Sequence, residues 1–199
     1  GKDWVGETNS DVEPILDLEY GKIRLVIAFP DKYSYKNLDA MIADYGKKKK
    51  TLRISSEYLT TASKFIKSLK SYQKYYGKKD PLIVTPWMRL GNNKDVQIHL
   101  SFGATEAKPP EDVDAIMDVT ETGTTLKQNK LKIVDEVLTS TAHLIINKKS
   151  LKDPKKREKI FDIITLMRGA VNGRKYLHIY LNVEEKNLKK LLSQMPSLK

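Results

Sequence analysis

Short apolar runs alternate with stretches of helical spacing along most of the chain, the pattern of an α/β sheet. Ile23 to Phe29 (IRLVIAF) is a near-continuous apolar run stopped by Pro30, as expected of a strand covered on both faces. Leu52 to Ser55 predicts a second, shorter strand, and Val96 to Leu100 and Asp114 to Val119 predict two more. From Tyr58 to Tyr76, the residues Leu59, Ala62, Phe65, Ile66, Leu69, Tyr72 and Tyr76 recur at helical spacing, and Gly77 closes the helix. Lys78 to Lys94 carries Pro81, Pro86 and Gly91 without periodicity and reads as an irregular surface excursion.

In the second half, Val134 to Asn147 mixes apolar and hydroxyl residues, with Ala142 to Ile146 extended. Asp153 followed by Pro154 is a helix start, an N-cap oxygen before a proline at the first helical position. The stripe Ile160, Phe161, Ile164, Met167 and Val171 continues this helix to Asn172-Gly173. Tyr176 to Val183 alternates, with Leu177, Ile179, Leu181 and Val183 on one face, and a last helix carries Leu188, Leu191, Leu192 and Met195 before Pro196. One amphipathic strand and one amphipathic helix cannot bury their apolar faces alone. Either another chain completes the unit or the sequence is cut short, and truncation is the expectation taken here.

Composition narrows the class. Of 199 residues, 36 are Lys or Arg and 25 Asp or Glu, a formal net charge of +11 on an otherwise ordinary globular background. Such an excess suits nucleic acid, a membrane surface, small polyanionic substrates, or plain solubility. Lysine dominates over arginine, and aromatics do not interleave with basic residues at strand spacing, which weighs against nucleic acid. The run Lys47 to Lys50 reads as a solvated loop. No stretch approaches the roughly 20 apolar residues of a membrane helix. The absence of cysteine excludes disulfides, thiolate metal sites and cysteine nucleophiles, and fits a cytoplasmic location. Residue 1 is Gly and no leader-like segment follows it, so a native start upstream is expected.

The chemistry is concentrated in Asp114-Ala-Ile-Met-Asp118-Val-Thr-Glu121-Thr122-Gly123-Thr124-Thr125-Leu126. A strand runs into a Thr/Gly loop, with a helical pattern from Leu126. Small residues let backbone N–H groups converge on an anion, and hydroxyls add donors. Acids just before such a loop cannot serve the phosphate; they suit sugar hydroxyls, or the Mg2+ that accompanies a pyrophosphate. The plainer alternative is a strand-turn-helix in which Thr and Asp only cap the helix.

Acid-Val-Thr-Glu-Thr-Gly-Thr-Thr-Leu resembles the phosphoribosyl-pyrophosphate loop of phosphoribosyltransferases, and the surrounding residues resemble those of one family, ATP phosphoribosyltransferase. Gly1-Lys-Asp-Trp-Val, Asp17-Leu18, Tyr20-Gly21-Lys22 leading into Leu25 to Pro30, and Leu52 to Ser55 with Tyr58 carry the likeness. So do Ser101-Phe-Gly103-Ala-Thr105-Glu106, Leu131 to Asn147, and Arg168-Gly-Ala-Val-Asn172-Gly-Arg174. Lys70 to Lys94 falls outside it and resembles an insertion.

The resemblance implies a two-lobed α/β fold of the periplasmic-binding-protein type (type II). Residues 1–20 and 135–174 would belong to an incomplete first lobe, and 21–134 to the second. Residues 175–199 would open a ferredoxin-like α+β regulatory domain. It implies transfer of a phosphoribosyl group to N1 of ATP, the first step of histidine biosynthesis, with Mg2+ on the pyrophosphate, histidine as feedback inhibitor and a dimer-based hexamer. Glu121, Thr122, Gly123, Thr124 and Thr125 would hold the 5′-phosphate, Asp118 or Glu121 the ribose hydroxyls, and Glu106, Thr105 and Arg53 would face the cleft. The family's basic residues for pyrophosphate and ATP lie before Gly1 in this register, so the polypeptide alone is expected to be inactive.

Other candidates are structural. His99, His143 and His178 lack metal-ligand spacing, and Trp4 and Trp87 read as packing residues. Asp114 and Asp118 fall on one strand face, with a capping or solvated role expected for Asp114. Two further function classes stay open: a non-catalytic two-lobed binder of a phosphorylated small molecule, and a basic nucleic-acid-binding module.

Overall fold

The structure, a computed structural model, describes residue 5 and residues 8–195. Trp4 and Pro196 lie outside the described residues. A seven-stranded mixed sheet dominates, formed by β2 (Ile23–Pro30), β3 (Leu52–Ser56), β4 (Pro81–Val84), β5 (Arg89–Leu90), β6 (Asn93–Leu100), β7 (Ala115–Thr120) and β8 (Leu131–Ser140). Their order across the sheet is β5-β4-β6-β3-β7-β2-β8. The strands β4, β6, β3 and β7 are mutually parallel, while β2 runs antiparallel between β7 and β8. A separate antiparallel pair joins β1 (Val12–Asp17) to β9 (His143–Asn147). The strand β8 continues unbroken to Ser140, past the boundary expected at residue 134.

The alternation of β2 sends its side chains to both faces, and each face has its own core. Leu25, Ile27 and Phe29 pack with Ile54, Ile98 and Met117 beneath α1 (Leu38–Lys48), α2 (Leu59–Ser68) and α3 (Lys70–Tyr76). Val26 and Ala28 pack on the opposite face with Val113, Ile116, Leu131 and Leu126 of the short α4 (Thr124–Gln128). The near-continuous apolar run of β2 is thus explained by burial on two sides.

Three expectations need correction. The stretch Lys78 to Lys94 is no surface excursion: β4 pairs with β6 inside the sheet, and Pro81 is buried. Gly91 shows why the periodicity was hidden, since a Cβ there would sit 2.2 Å from the Pro81 carbonyl oxygen, with φ +110. The Tyr58–Tyr76 helix is two helices, because Leu69 is extended (φ −73, ψ 137) and donates its N–H to Ile66 O. The second helix restarts on a cap from another element: the Asp39 carboxylate of α1 accepts both Ser71 N–H (2.8 Å) and Ser71 Oγ–H (2.9 Å). Lys47 and Lys48 are not loop residues but the last turn of α1, where cations complement the helix dipole, and Lys48 reaches Asp44 at 2.8 Å.

The helix α1 carries a signal that the strand pattern overshadows. Asn37 accepts Ala40 N–H as N-cap, and Leu38, Met41, Ile42 and Tyr45 follow at core spacing. Further on, α5 (Pro154–Gly173) begins as read, with Asp153 accepting the N–H groups of Lys155 and Lys156. Tyr176 to Val183 forms no ladder, for no strand lies beside it among the described residues, and Leu177 is 90% exposed. The helix α6 (Glu185–Gln194) leaves Leu188 and Leu192 exposed, so the apolar faces read from sequence are unburied. Among the described residues, no helix is long and apolar enough to cross a membrane.

Asp39→Ala removes the cap of α3 and should destabilise the protein by about 1 kcal/mol. Urea unfolding checks this: the midpoint should fall while the m-value is kept.

Candidate functional site

Parallel pairing of β4, β6, β3 and β7 puts their C-terminal ends on one edge of the sheet, where open α/β sheets bind ligands. Four segments leave that edge side by side: the turn after Val84, the turn Ser101–Glu106 after β6, Glu57 after β3, and the loop Glu121–Thr125 after β7.

The Thr/Gly loop is exposed and internally ordered. Gly123 takes φ +84 at the head of α4, a conformation that disfavours any side chain, and an added Cβ would approach Ile133 Cδ1 to 3.2 Å. Its N–H is held by Thr120 Oγ1 at 2.8 Å, so it fixes the turn and is not itself offered to a ligand. The hydroxyls of Thr122 and Thr124 meet at 2.8 Å and are both exposed, a pair of adjacent donors at the mouth of the loop. Leu126 anchors the following helix in the core.

Asp118 lies in β7 just beneath the loop, half-buried. Burial pushes its carboxyl above the usual carboxylate range; its own residue's neighbour opposes this, with Val119 N–H donating to Oδ1 at 2.7 Å, and Glu57 and Glu106 push it further up. These three acids therefore share one neighbourhood. Glu57 Oε1 also accepts Gly103 N–H at 2.8 Å, tying the β3 end to the β6 turn. Glu57 was not singled out from the sequence, although its place directly after a parallel strand is the available signal.

The β6 turn is a knot of small polar groups. Ser101 Oγ receives Thr105 Oγ1–H at 3.0 Å and Lys108 Nζ–H at 2.7 Å, and Ser101 N–H donates to Ser56 O. Thr105, expected at the cleft, is buried and shapes this turn instead. Glu106 beside it is half-buried and electrostatically linked to Asp118. Lys108 was missed because its lysine is one of many.

Arg53 sits elsewhere. It lies near the N-terminal end of β3, and its N–H (2.8 Å) and Nε (3.4 Å) both engage Asp114 Oδ2. Six residues separate Asp114 from Thr120, roughly 20 Å of strand, so this ion pair closes the opposite edge. Asp114 is buried, accepts Tyr45 O–H at 3.3 Å, and pairs structurally with Arg53; it shares no site with Asp118. Among the described residues, no group of three or more His, Asp or Glu stands close enough to hold a bare metal ion. The acids fit a cation that arrives with its own phosphate and water ligands, since Glu57 and Glu106 burden Asp118 with like charge. His99 is buried enough to be held below the usual histidine range, with Arg53, Arg89 and Lys108 adding to the effect.

Comparison with known proteins places these features in a family. The profile of the ATP phosphoribosyltransferase family matches residues 1–169. A relative named ATP phosphoribosyltransferase from Solibacter usitatus is 36% identical over 204 aligned positions, covering 100% of this chain and 60% of the relative. One of the same name from Chlorobium chlorochromatii is 34% identical, covering 100% of this chain and 59% of its own length. This chain thus spans about three-fifths of the curated relatives it matches. Among solved structures, an ATP phosphoribosyl transferase complex from Thermotoga maritima shares the fold at a TM-score of 0.59 with 20% identity, over 85% of this chain and 67% of that one.

Asp118→Asn tests the electrostatics. Asp118 has a folded pKa above its unfolded value, so ionising it removes stability as pH rises from the usual carboxylate range through that raised value. At neutral pH the whole cost is present. The variant should gain about 1 kcal/mol at pH 7, some 2–4 °C in Tm, and the gain should shrink toward pH 4 in thermal melts.

Proposed function

The chain belongs to the ATP phosphoribosyltransferase family, and on that premise we propose that the full-length protein transfers the phosphoribosyl group of phosphoribosyl pyrophosphate to N1 of ATP. Pyrophosphate leaves, and phosphoribosyl-ATP is the product that opens histidine biosynthesis. The observation that supports this best is the ordered Thr/Gly loop at the end of β7 with Asp118 directly beneath it.

In this reading, Thr122, Thr124 and Thr125 offer hydroxyls and backbone donors to the 5′-phosphate, around a turn that Gly123 makes possible. Asp118 and Glu121 accept hydrogen bonds from the ribose hydroxyls. The bond from C1′ to pyrophosphate breaks as the N1 lone pair of adenine forms the new one, and the sugar passes through a cation-like state. Carboxylates of Asp118, Glu57 and Glu106 gathered on one edge stabilise that positive charge in place, and no covalent nucleophile is needed. Mg2+ bound to the pyrophosphate would supply charge neutralisation of the leaving group, held by Asp118 or Glu106 through its water shell. Homo-oligomeric assembly and feedback by histidine belong to the same reading.

The test is direct. The full-length protein incubated with ATP, phosphoribosyl pyrophosphate and Mg2+ should yield phosphoribosyl-ATP by mass spectrometry, and no product sinks the proposal. Gly123→Asp should weaken phosphoribosyl-pyrophosphate binding at least tenfold by calorimetry, since charge and bulk enter the phosphate turn. Unchanged affinity would place the phosphate elsewhere.

A further inference from the structure

The same strand-end edge carries a second feature that phosphate binding does not use. Trp87 and Phe102, 76% and 71% exposed, meet across the gap between the β4–β5 hairpin and the β6 turn. Their ring centroids lie 6.3 Å apart at 63°, an edge-to-face geometry, so the rings do not cover one another. Trp87, expected to pack, covers nothing. Both rings are nonetheless held in place. Trp87 sits at the tip of a turn closed by Thr85 N–H to Met88 O (3.0 Å), with Thr85 Oγ1 accepting the N–H groups of Trp87 and Met88. Phe102 is fixed from both sides, by Ser101 N–H to Ser56 O and by Gly103 N–H to Glu57 Oε1.

The order of strands sets the distance to the loop. From β7 through β3 and β6 to β4 is three strand spacings, roughly 14 Å along the edge. A phosphoribosyl group anchored at Glu121–Thr125 and Asp118 points its C1′ end along this edge, toward the rings. Cations flank them: Arg89 follows Met88 on β5, and Lys108 Nζ lies 2.7 Å from Ser101 Oγ, next to Phe102. Flat, exposed, immobilised rings beside two cations are the chemistry that receives a nucleobase carrying phosphates.

We propose that Trp87 and Phe102 form the platform for the purine ring of the acceptor nucleotide, with Arg89 and Lys108 serving its phosphates. The inference rests on the activity proposed above and adds the base subsite to it. The stretch that carries Trp87 is the one that lies outside the family resemblance, so this platform is a feature of this chain's own hairpin.

Calorimetry on the full-length protein, with ATP, inorganic tripolyphosphate and phosphoribosyl pyrophosphate as separate probes, tests it. Trp87→Ala and Phe102→Ala should each weaken ATP at least about fivefold, with the other two probes unaffected. Trp87→Phe, which keeps a ring and guards against misfolding, should retain most of the affinity. Unchanged ATP binding in both alanine variants overturns the proposal, as does an equal loss for tripolyphosphate. A change of oligomeric state with ATP affinity intact overturns it too, by making the pair a protein contact. If ATP binding depends on Trp87 but no phosphoribosyl-ATP forms, the platform stands and the activity falls. If product forms and Trp87→Ala keeps the KM for ATP, the reverse holds.

Discussion

Everything at the candidate site depends on β3 being parallel to both of its neighbours. Leu52 and Ile54 are fully buried, and the strand pairs with β6 and β7 in register, Ser55 beside His99 on one side and Ile116 on the other. Side chains alternate with a period of two, so a one-residue slip would turn Leu52 and Ile54 away from the helices. The hydrophobic pattern thereby fixes where each strand ends. Glu57, the Ser101–Glu106 turn and the Glu121–Thr125 loop then emerge on one edge without any interaction among themselves being required to bring them there.

What those segments carry is at odds with the chain as a whole. A protein of net charge +11 assembles Asp118, Glu57, Glu106 and Glu121 on one edge, and burial makes Asp118 costly to ionise. The opposite edge spends its acid differently, with Asp114 neutralised by Arg53 and closed over by Tyr45. Identical side chains a few residues apart on one sequence segment thus serve a site and a structural clasp. The difference is whether a cation of the same chain reaches them.

Legibility followed local information. The strand Ile23–Pro30 and the Asp153-Pro154 helix start are written in contiguous residues, and both stood out. The Thr/Gly loop was legible for the same reason, since Gly123 makes its turn within five residues. The break at Leu69 was not, because Asp39, thirty-two positions away from Ser71, supplies the cap that starts the second helix. Arg53 and Thr105 were misplaced for a related reason. A resemblance aligns residues along the chain, while Arg53 is turned by Asp114 and Thr105 by Ser101. Glu57 became visible only once β3 was seen lying between β6 and β7.

The exposed row Leu177, Ile179, Leu181 and Val183 sets the colloidal character of this polypeptide. An extended backbone with an apolar face joins readily to a second copy of itself, and the counterweight is long-range repulsion between molecules of like charge. That repulsion acts over a Debye length, about 10 Å at 0.1 M salt and about 3 Å at 1 M. Ionic strength therefore governs which of the two forces prevails: dilute buffer keeps the strips apart, and concentrated salt lets them meet.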